Sequence, residues 1–243
     1  MHVLILGANS DMACAIAEIF AKKERANLYL ASRDINSLNR RAADIAIRYS
    51  VAVKTFSFDA VDYDSHAAFY QQLAPRPDGV VFAVGLLGDQ QRAQRDFTHA
   101  RSVIESNFLG AISILELVAA EFEHRRAGFV IGISSVAGER GRQSNYIYGS
   151  AKAAFTAYLS GLRNRLAPRG VHVLTVLPGF AQTKMTADLQ LPTMLTATPN
   201  EIASDVYQAW LKHQPILYTK KFWRYLMFAI RSIPERIFMT MKL

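Results

Sequence analysis

Short apolar runs alternate with longer amphipathic segments along most of the 243-residue chain. The first run, His2–Leu6, ends in Gly7, and the segment after it has helical spacing of its apolar residues. Strands separated by helices cannot pair through tight hairpins, so the alternation predicts a doubly wound parallel sheet of the α/β class, with helices on both faces. Such sheets bind ligands at the carboxyl ends of their strands. The predicted strands are 2–6, 27–31, 51–58, 79–84, 128–133, 171–176 and 216–218, with long helices at 98–124 and 146–167.

The composition predicts one large domain in a reducing compartment. Apolar residues make up 51% of the chain, which is enough for a substantial core. The single cysteine, Cys14, excludes an internal disulfide. The start of the chain does not resemble a signal peptide, and no run of about 20 uncharged apolar residues could span a bilayer. The histidines lack metal-ligand spacing, so no metal is predicted. We expect a cytoplasmic protein with one domain at 1–219 and a tail at 220–243.

Three polar residues near the predicted strand 128–133 have a spacing that suits proton transfer. Tyr148 and Lys152 are four residues apart on a helix predicted to begin near Tyr146, so their side chains share one face. A neighbouring cation favours phenolate, and we expect Lys152 to lower the pKa of Tyr148. Ser135, thirteen residues before the tyrosine, can hydrogen-bond a substrate oxygen that Tyr148 protonates. Because hydride addition to a ketone leaves charge on oxygen, this trio indicates ketone reduction.

The interval between Ser135, Tyr148 and Lys152 resembles that of the short-chain dehydrogenase/reductase family, and the resemblance extends over most of the chain. It implies a Rossmann fold, a nicotinamide cofactor (NADPH or NADH) and an NAD(P)-dependent oxidoreductase that reduces a ketone to an alcohol. It also implies that Asn107 helps to hold a water-linked proton path to the lysine, although a structural asparagine with satisfied hydrogen bonds is the alternative. Members of the family often form dimers or tetramers, so a homo-oligomer is expected. The implied catalytic residues are Asn107, Ser135, Tyr148 and Lys152.

The loop after the first strand departs from the family's glycine pattern. The family has Gly-x-x-x-Gly-x-Gly here, whereas this chain keeps Gly7 and has Asp11 and Ala13 at the other two positions. Asp11 either lies near the expected pyrophosphate or points to solvent and caps the next helix. Arg33 favours the 2′-phosphate of NADPH, while Asp34 leaves NADH open. The residues that the resemblance assigns to the cofactor are Gly7, Asn9, Ser10, Asp11, Met12, Arg33, Asp59, Ala60, Gly85, Tyr148, Lys152, Pro178, Gly179 and Thr183.

Basic charge is concentrated in the tail. The chain has a net charge of +8, and the stretch from Lys220 to Leu243 holds six Lys or Arg against one Glu, interleaved with aromatic residues. This pattern predicts a helix lying in a membrane interface, with its cations toward anionic lipid head groups. Packing on its own domain and an oligomer contact are the alternatives. No recognition motif or extended basic groove indicates nucleic acid.

Three segments, 85–89, 137–148 and 222–238, resemble one branch of the family. Members of that branch reduce a 2-keto-pentose carried on a polyprenyl phosphate for the cell envelope, and they work with a flavin-dependent oxidase. The resemblance implies a lipid-linked ketone substrate and a peripheral position on the inner face of the membrane. Another lipid or fatty-acyl ketone, and a non-catalytic nucleotide-binding scaffold, remain open. Arg140 and Arg142 are candidate ligands of the lipid phosphate, but we expect solvated loop charges. Segment 184–198 is a predicted loop over the substrate.

Overall fold

The computed structural model describes residues 1–184 and 192–241. Residues 185–191 of the predicted loop and residues 242–243 of the predicted tail lie outside the described residues. The strands are β1 (His2–Leu6), β2 (Asn27–Ser32), β3 (Val53–Ser57), β4 (Gly79–Phe82), β5 (Phe129–Ile133), β6 (His172–Pro178), β7 (Phe180–Ala181), β8 (Thr196–Ala197) and β9 (Ile216–Thr219). The helices are α1 (Asp11–Glu24), α2 (Ile35–Tyr49), α3 (His66–Gln71), α4 (Gln90–Ala93), α5 (Phe97–Ile104), α6 (Gly110–Arg125), α7 (Tyr146–Leu166), α8 (Pro199–Leu211), α9 (Phe222–Ser232) and α10 (Glu235–Phe238).

Seven strands form one parallel sheet in the order β3-β2-β1-β4-β5-β6-β9. The strand order reverses between β1 and β4, and a crevice opens at the carboxyl ends of strands at such a switch point. The short strands β7 and β8 pair with each other in a separate parallel ladder. The predicted doubly wound parallel sheet is confirmed.

The core lies on both faces of the sheet, because side chains alternate along each strand. In β1, Val3 and Ile5 belong to the cluster that α1, α2 and α8 cover, whereas Leu4 and Leu6 belong to the cluster beneath α6 and α7. All four are fully buried. A strand that is covered on both faces has a continuous apolar sequence, which explains why the strands could be recognised without alternation.

The sequence predicted one long helix at residues 98–124, but the structure divides this stretch. A π-helical segment at Glu105–Leu109 separates α5 from α6. Such segments insert an extra residue into a helical turn and are frequent at functional sites. Here the segment carries Asn107, which is fully buried.

By length and composition, the helical stretch Phe97–Arg125 could cross a membrane, and 44% of its most apolar window is buried inside the protein. Within it, α6 contributes Ile114, Leu115, Val118 and Phe122 to the core beside the sheet. Packing against the sheet accounts for its apolar composition.

Two local expectations are corrected. Ser10, and not Asp11, caps α1, because the Ser10 Oγ accepts a hydrogen bond from the Ala13 N–H at 3.1 Å. Residues 196–197, which were predicted as loop, form β8 and pair with Phe180–Ala181. Both differences depend on hydrogen-bond partners that the local sequence pattern does not identify.

Candidate active site

The structure brings Ser135, Tyr148 and Lys152 together at the junction of β5 and α7. Tyr148 lies in the first turn of α7, and the Lys152 Nζ is 5.7 Å from the centre of the tyrosine ring. The ammonium group also donates a hydrogen bond to the Ile133 carbonyl at 3.1 Å, at the end of β5. Ser135 follows that strand and hydrogen-bonds the phenol. The spacing that suggested these residues therefore corresponds to a real cluster.

Burial controls the protonation of this cluster. It raises the pKa of Tyr148 to about 12, and the hydrogen bond from Ser135 only partly opposes this rise. Burial also lowers the pKa of Lys152 to about 7. The predicted lowering of the Tyr148 pKa is therefore wrong for this structure, because the loss of hydration outweighs the hydrogen bond from Ser135. At neutral pH the phenol keeps its proton and can act as an acid.

A tight contact between the Ser135 turn and α7 sets the geometry, and the sequence analysis missed it. A Cβ on Gly138 would lie 2.6 Å from the Ala153 backbone nitrogen, and one on Gly149 would lie 2.8 Å from the Ala137 carbonyl oxygen. Only glycine allows backbones to approach this closely. The two glycines thus let the serine turn sit directly on the helix that carries Tyr148.

Ser134 makes a second link between β5 and α7. Its buried hydroxyl donates to the Lys152 carbonyl at 3.0 Å and shares a hydrogen bond with the Thr156 hydroxyl at 2.7 Å. The sequence could have indicated this role, because Ser134 directly follows the apolar run of β5. This link holds the lysine backbone in register with the strand.

Asn107 anchors the loop after β4. Its Nδ2 donates to the carbonyls of Leu86 at 2.7 Å and Val103 at 2.8 Å, while its Oδ1 accepts from the Leu86 N–H at 3.3 Å. These bonds satisfy the amide within the protein, as the structural alternative required. A role for Asn107 in the proton path stays a prediction.

A cleft of about 270 Å³ lies at the carboxyl ends of β1, β2 and β4. Gly7 forms its floor at φ +80°, and a Cβ there would lie 2.8 Å from the Val84 nitrogen. Asn9 links two walls, because its Nδ2 donates to the Ser32 hydroxyl and to the Asp34 carbonyl. Of the residues assigned to the cofactor, Gly7, Asn9, Ser10, Arg33, Asp59, Ala60 and Gly85 line the cleft, together with Ser32, Phe58, Val84, Leu86 and Ser106, which the sequence analysis did not select.

The remaining assigned residues lie outside that lining. The Asp11 carboxylate accepts from the Lys184 N–H at 2.9 Å and pairs with Arg41 at 3.6 Å, while Met12 packs against the core. Asp34, which left NADH open, caps α2, because its Oδ1 accepts a hydrogen bond from the Ser37 N–H at 3.0 Å. Tyr148 and Lys152 belong to the cluster described above, and the others lie at the end of β6 and just after it, at Pro178, Gly179 and Thr183. Their part in cofactor binding stays a prediction.

A second and larger cavity, of about 710 Å³, has Tyr148 in its wall. Most of its lining is apolar and comes from the loop after β4, from β7 and the segment before β8, and from α9. Helix α9 contributes Trp223, Leu226 and Ile230. The cavity therefore joins the candidate acid to a space that suits an apolar molecule.

Helix α9 is held on its own domain through one face. Trp223 and Met227 are buried against Val136 and Leu177, and the Trp223 indole donates to the Leu195 carbonyl at 3.0 Å. The outer face instead exposes aromatic side chains, with Tyr225 70% and Phe228 73% exposed. The tail thus packs on its own domain and also presents an amphipathic outer surface.

Arg140 is not a solvated loop charge. Its side chain is only 12% exposed, and its guanidinium donates to the carbonyls of Ile230 at 2.6 Å and Ile233 at 2.7 Å. It also pairs with Glu235 at 2.8 Å and stacks on the Phe238 ring. Arg140 therefore fastens α9 and α10 over the cavity.

A doubly wound sheet with a cleft at its switch point and a Ser–Tyr–Lys cluster beside it is the arrangement of a dinucleotide-dependent oxidoreductase. A family model described as short chain dehydrogenase matches residues 1–193. An uncharacterized oxidoreductase of Mycobacterium tuberculosis is 33% identical over 98% of this chain and 96% of its own length, and one of Streptomyces coelicolor is 29% identical over 97% and 94%. A solved short-chain dehydrogenase from Sphingobium yanoikuyae in complex with NADPH has a TM-score of 0.83 at 23% identity, with 96% of each chain covered. The chain belongs to the short-chain dehydrogenase family, and the predictions of family and enzyme class are confirmed.

Proposed function

We propose that this oxidoreductase uses NADPH or NADH to reduce the ketone of a lipid-linked substrate, and that the substrate is a 2-keto-pentose on a polyprenyl phosphate. This is the reaction of decaprenylphosphoryl-2-keto-ribose reductases, which the sequence resembles. The observation that carries the proposal is the placement of Tyr148 in the wall of a large apolar cavity beneath an amphipathic helix. A flavin-dependent oxidase as partner and a homo-oligomeric state are part of the same proposal.

The cleft beside β1 fits a dinucleotide. Close backbone approach at Gly7 and the buried, unpartnered Asn9 Oδ1 leave a narrow polar site for a ribose and phosphate. Arg33 lines the cleft, where its guanidinium suits a 2′-phosphate, and this supports NADPH over NADH. The structure of the relative from Sphingobium yanoikuyae is a complex with NADPH.

The residues of the cluster have complementary roles in the proposed reaction. The nicotinamide, when bound, supplies the hydride. Tyr148 gives its proton to the substrate oxygen, and Ser135 holds that oxygen and the phenol in line. Lys152 lies where its charged form stabilises the phenolate that the proton leaves behind. Asn107 keeps the loop at Leu86 in place beside the cleft.

Turnover tests this proposal directly. Purified protein is mixed with NADPH or NADH and a polyprenyl-phosphoryl 2-keto-pentose in liposomes, and cofactor oxidation is followed. A fatty-acyl ketone of similar length serves as the second substrate, since the cavity's apolar lining suits it too. Reduction of the keto-sugar lipid alone supports the proposal, and reduction of the acyl ketone alone would replace its substrate.

Tyr148→Phe separates chemistry from binding. Because the variant lacks only the phenolic hydroxyl, we expect cofactor binding to remain and reduction to fall by about 100-fold or more. Fluorescence titration of the cofactor provides the control. An unchanged rate would remove Tyr148 as the acid.

The outer face of α9 supports docking on an anionic membrane. Exposed aromatic residues lie beside cationic ones on α9 and α10, and Glu235, the acidic residue of this segment, is paired with Arg140. Aromatic rings insert at the lipid interface while cations approach the head groups. Such docking would bring the roof of the cavity to the surface where a polyprenyl lipid resides.

Surface variants test docking better than truncation, since removal of α9 would also uncover Val136 and Leu177. Tyr225→Ser with Phe228→Ser is compared with Ile47→Ser, which replaces a residue 83% exposed on α2. We expect the first variant to lose sedimentation with anionic vesicles and the second to retain it. Equal sedimentation of both would exclude α9 as the anchor.

A further inference from the structure

The large cavity beside Tyr148 is mostly apolar, but six polar or charged side chains also line it: Asp89, Gln90, Gln91, Arg142, Ser144 and Asn145. Three of these, Gln90, Arg142 and Asn145, share one feature. Each has one buried side-chain atom without a hydrogen-bond partner among the described residues: Nε2 of Gln90, Nε of Arg142 and Oδ1 of Asn145. Buried polar atoms are normally paired, because an unpaired one loses its hydration without compensation. Three of them around one cavity indicate a missing partner.

Arg142 is the strongest case. Its Nη2 donates to the Met227 sulfur at 3.6 Å, and a thioether is a weak acceptor for a guanidinium. Within residues 1–184 and 192–241, no ion pair of Arg142 is found. Burial lowers its pKa, and the nearby Glu139 opposes this only partly. The Oε1 of Glu139 is engaged by the Tyr218 hydroxyl and by Arg231, whereas its Oε2 has no hydrogen-bond partner among the described residues. A half-buried cation of this kind loses part of its hydration, and an anion beside it would compensate for that loss.

Hydrogen bonds hold the Gln90 side chain and the Asn145 backbone near the same place. The Gln90 Oε1 accepts from the Ile147 N–H at 3.1 Å, which leaves its Nε2 as a free donor. The Asn145 backbone donates to the Arg142 carbonyl at 3.1 Å and accepts from the Gly149 N–H at 2.8 Å. Asn145 thus belongs to the turn that leads into α7, three residues before Tyr148. Arg142, Asn145 and the candidate acid are carried by one short segment, and Gln90 on α4 is bonded to that segment.

We propose that Arg142 and Gln90 bind a phosphate oxyanion of the substrate, and that Asn145 accepts a hydrogen bond from a hydroxyl beside it. The apolar part of the substrate then occupies the space beneath Trp223, Leu226 and Ile230. This inference rests on the proposed reductase function, because it takes the cavity beside Tyr148 as the substrate site. It deepens that proposal by assigning the residues that recognise the phosphate of a ketone with an apolar chain. A phosphodiester lipid and a free phosphate monoester share this chemistry.

Tryptophan fluorescence tests the inference without turnover. The chain has two tryptophans, and Trp223 lines the cavity, so Trp210→Phe leaves one reporter. The full-length protein is titrated with dodecyl phosphate below its micellar concentration, with dodecanol and with inorganic phosphate. We expect Arg142→Gln to weaken dodecyl phosphate binding by about 10- to 100-fold, the value of one charge-assisted contact, and to leave dodecanol binding unchanged. Arg142→Lys should recover part of the loss.

Arg95→Gln is the matched control, because it removes the charge of an exposed arginine. Equal binding of dodecyl phosphate by wild type and Arg142→Gln would overturn the inference. An equal loss of dodecanol binding in Arg142→Gln and Arg142→Lys would also overturn it, since the role would then be structural. Inorganic phosphate that binds as tightly as dodecyl phosphate would favour a free phosphate ester over a lipid. Arg142-dependent binding without ketone reduction would contradict the proposed function alone.

Discussion

Arg140→Gln should release α9 and α10 from the roof of the cavity. In the structure the guanidinium donates to the carbonyls of Ile230 and Ile233 at 2.6 and 2.7 Å. These carbonyls belong to the last turn of α9 and to the residue after it, where backbone donors are scarce; the Ile230 carbonyl also accepts from the Ile233 N–H at 3.3 Å. Glutamine is too short and uncharged to reproduce both bonds. The tail should therefore open more often while the sheet remains folded.

The size of the effect follows from the individual contacts. Hydrogen bonds from a charged donor contribute about 1.5 kcal/mol each at the lower end of their range, so the two short bonds amount to about 3 kcal/mol. The ion pair with Glu235 adds little, since that carboxylate is 80% exposed and screened by solvent. A loss of about 3 kcal/mol corresponds to about a 100-fold increase in local opening.

Hydrogen exchange measured by mass spectrometry reads this opening directly. Peptides from Phe222–Ser232 should exchange about 100-fold faster in Arg140→Gln, while peptides from α1 should be unaffected. Glu235→Gln removes only the exposed ion pair and should change exchange by less than about 5-fold. Equal exchange in wild type and Arg140→Gln, or equal acceleration in both variants, would refute the assignment of Arg140 as the fastener.

Three further variants test the site and its support. Lys152 has a pKa of about 7 in the folded protein and an ordinary value of 10.5, so the unfolded state binds more protons between pH 7 and 10. The free energy of unfolding, measured with urea, should therefore rise with pH in this range, by up to about 5 kcal/mol. Lys152→Met should flatten this rise. Parallel slopes would contradict the lowered pKa of the buried lysine. Asn107→Leu leaves the carbonyls of Leu86 and Val103 without their donor and should cost about 3 kcal/mol in the same assay, whereas wild-type stability would show that water replaces the amide. Gly179→Ala places a Cβ within the Trp223 indole, so the indole must move. We expect tryptophan emission to shift to the red and the free energy of unfolding to fall by about 1–3 kcal/mol. An unchanged spectrum would mean that the indole does not pack there.

Local pattern was sufficient for the sheet and for the reactive cluster. Buried parallel strands have continuous apolar sequences, and the four-residue step from Tyr148 to Lys152 places both on one helix face whatever surrounds them. The protonation of these residues was a different matter. Proximity predicted a lower pKa for the tyrosine, but its burial raises that pKa, and burial is a property of the assembled fold.

Arg140 and Arg142 illustrate the limit of local reasoning most clearly. They are the same residue type, two positions apart, and the sequence offered one interpretation for both. Their partners decide their roles: Arg140 bonds to Ile230, 90 residues away, whereas Arg142 contacts Met227, 85 residues away, and lines the cavity. No pattern near residue 140 contains that information.

The sequence by itself determined the alternation of strands and helices, the family, the enzyme class and the positions of Ser135, Tyr148 and Lys152, because each depends on spacing within one or two neighbouring elements. Tertiary structure alone decided that α9 roofs the cavity, that Arg140 fastens it and that burial keeps the proton on Tyr148. These features depend on contacts between distant segments and on the exclusion of water, and both exist only once the chain has folded.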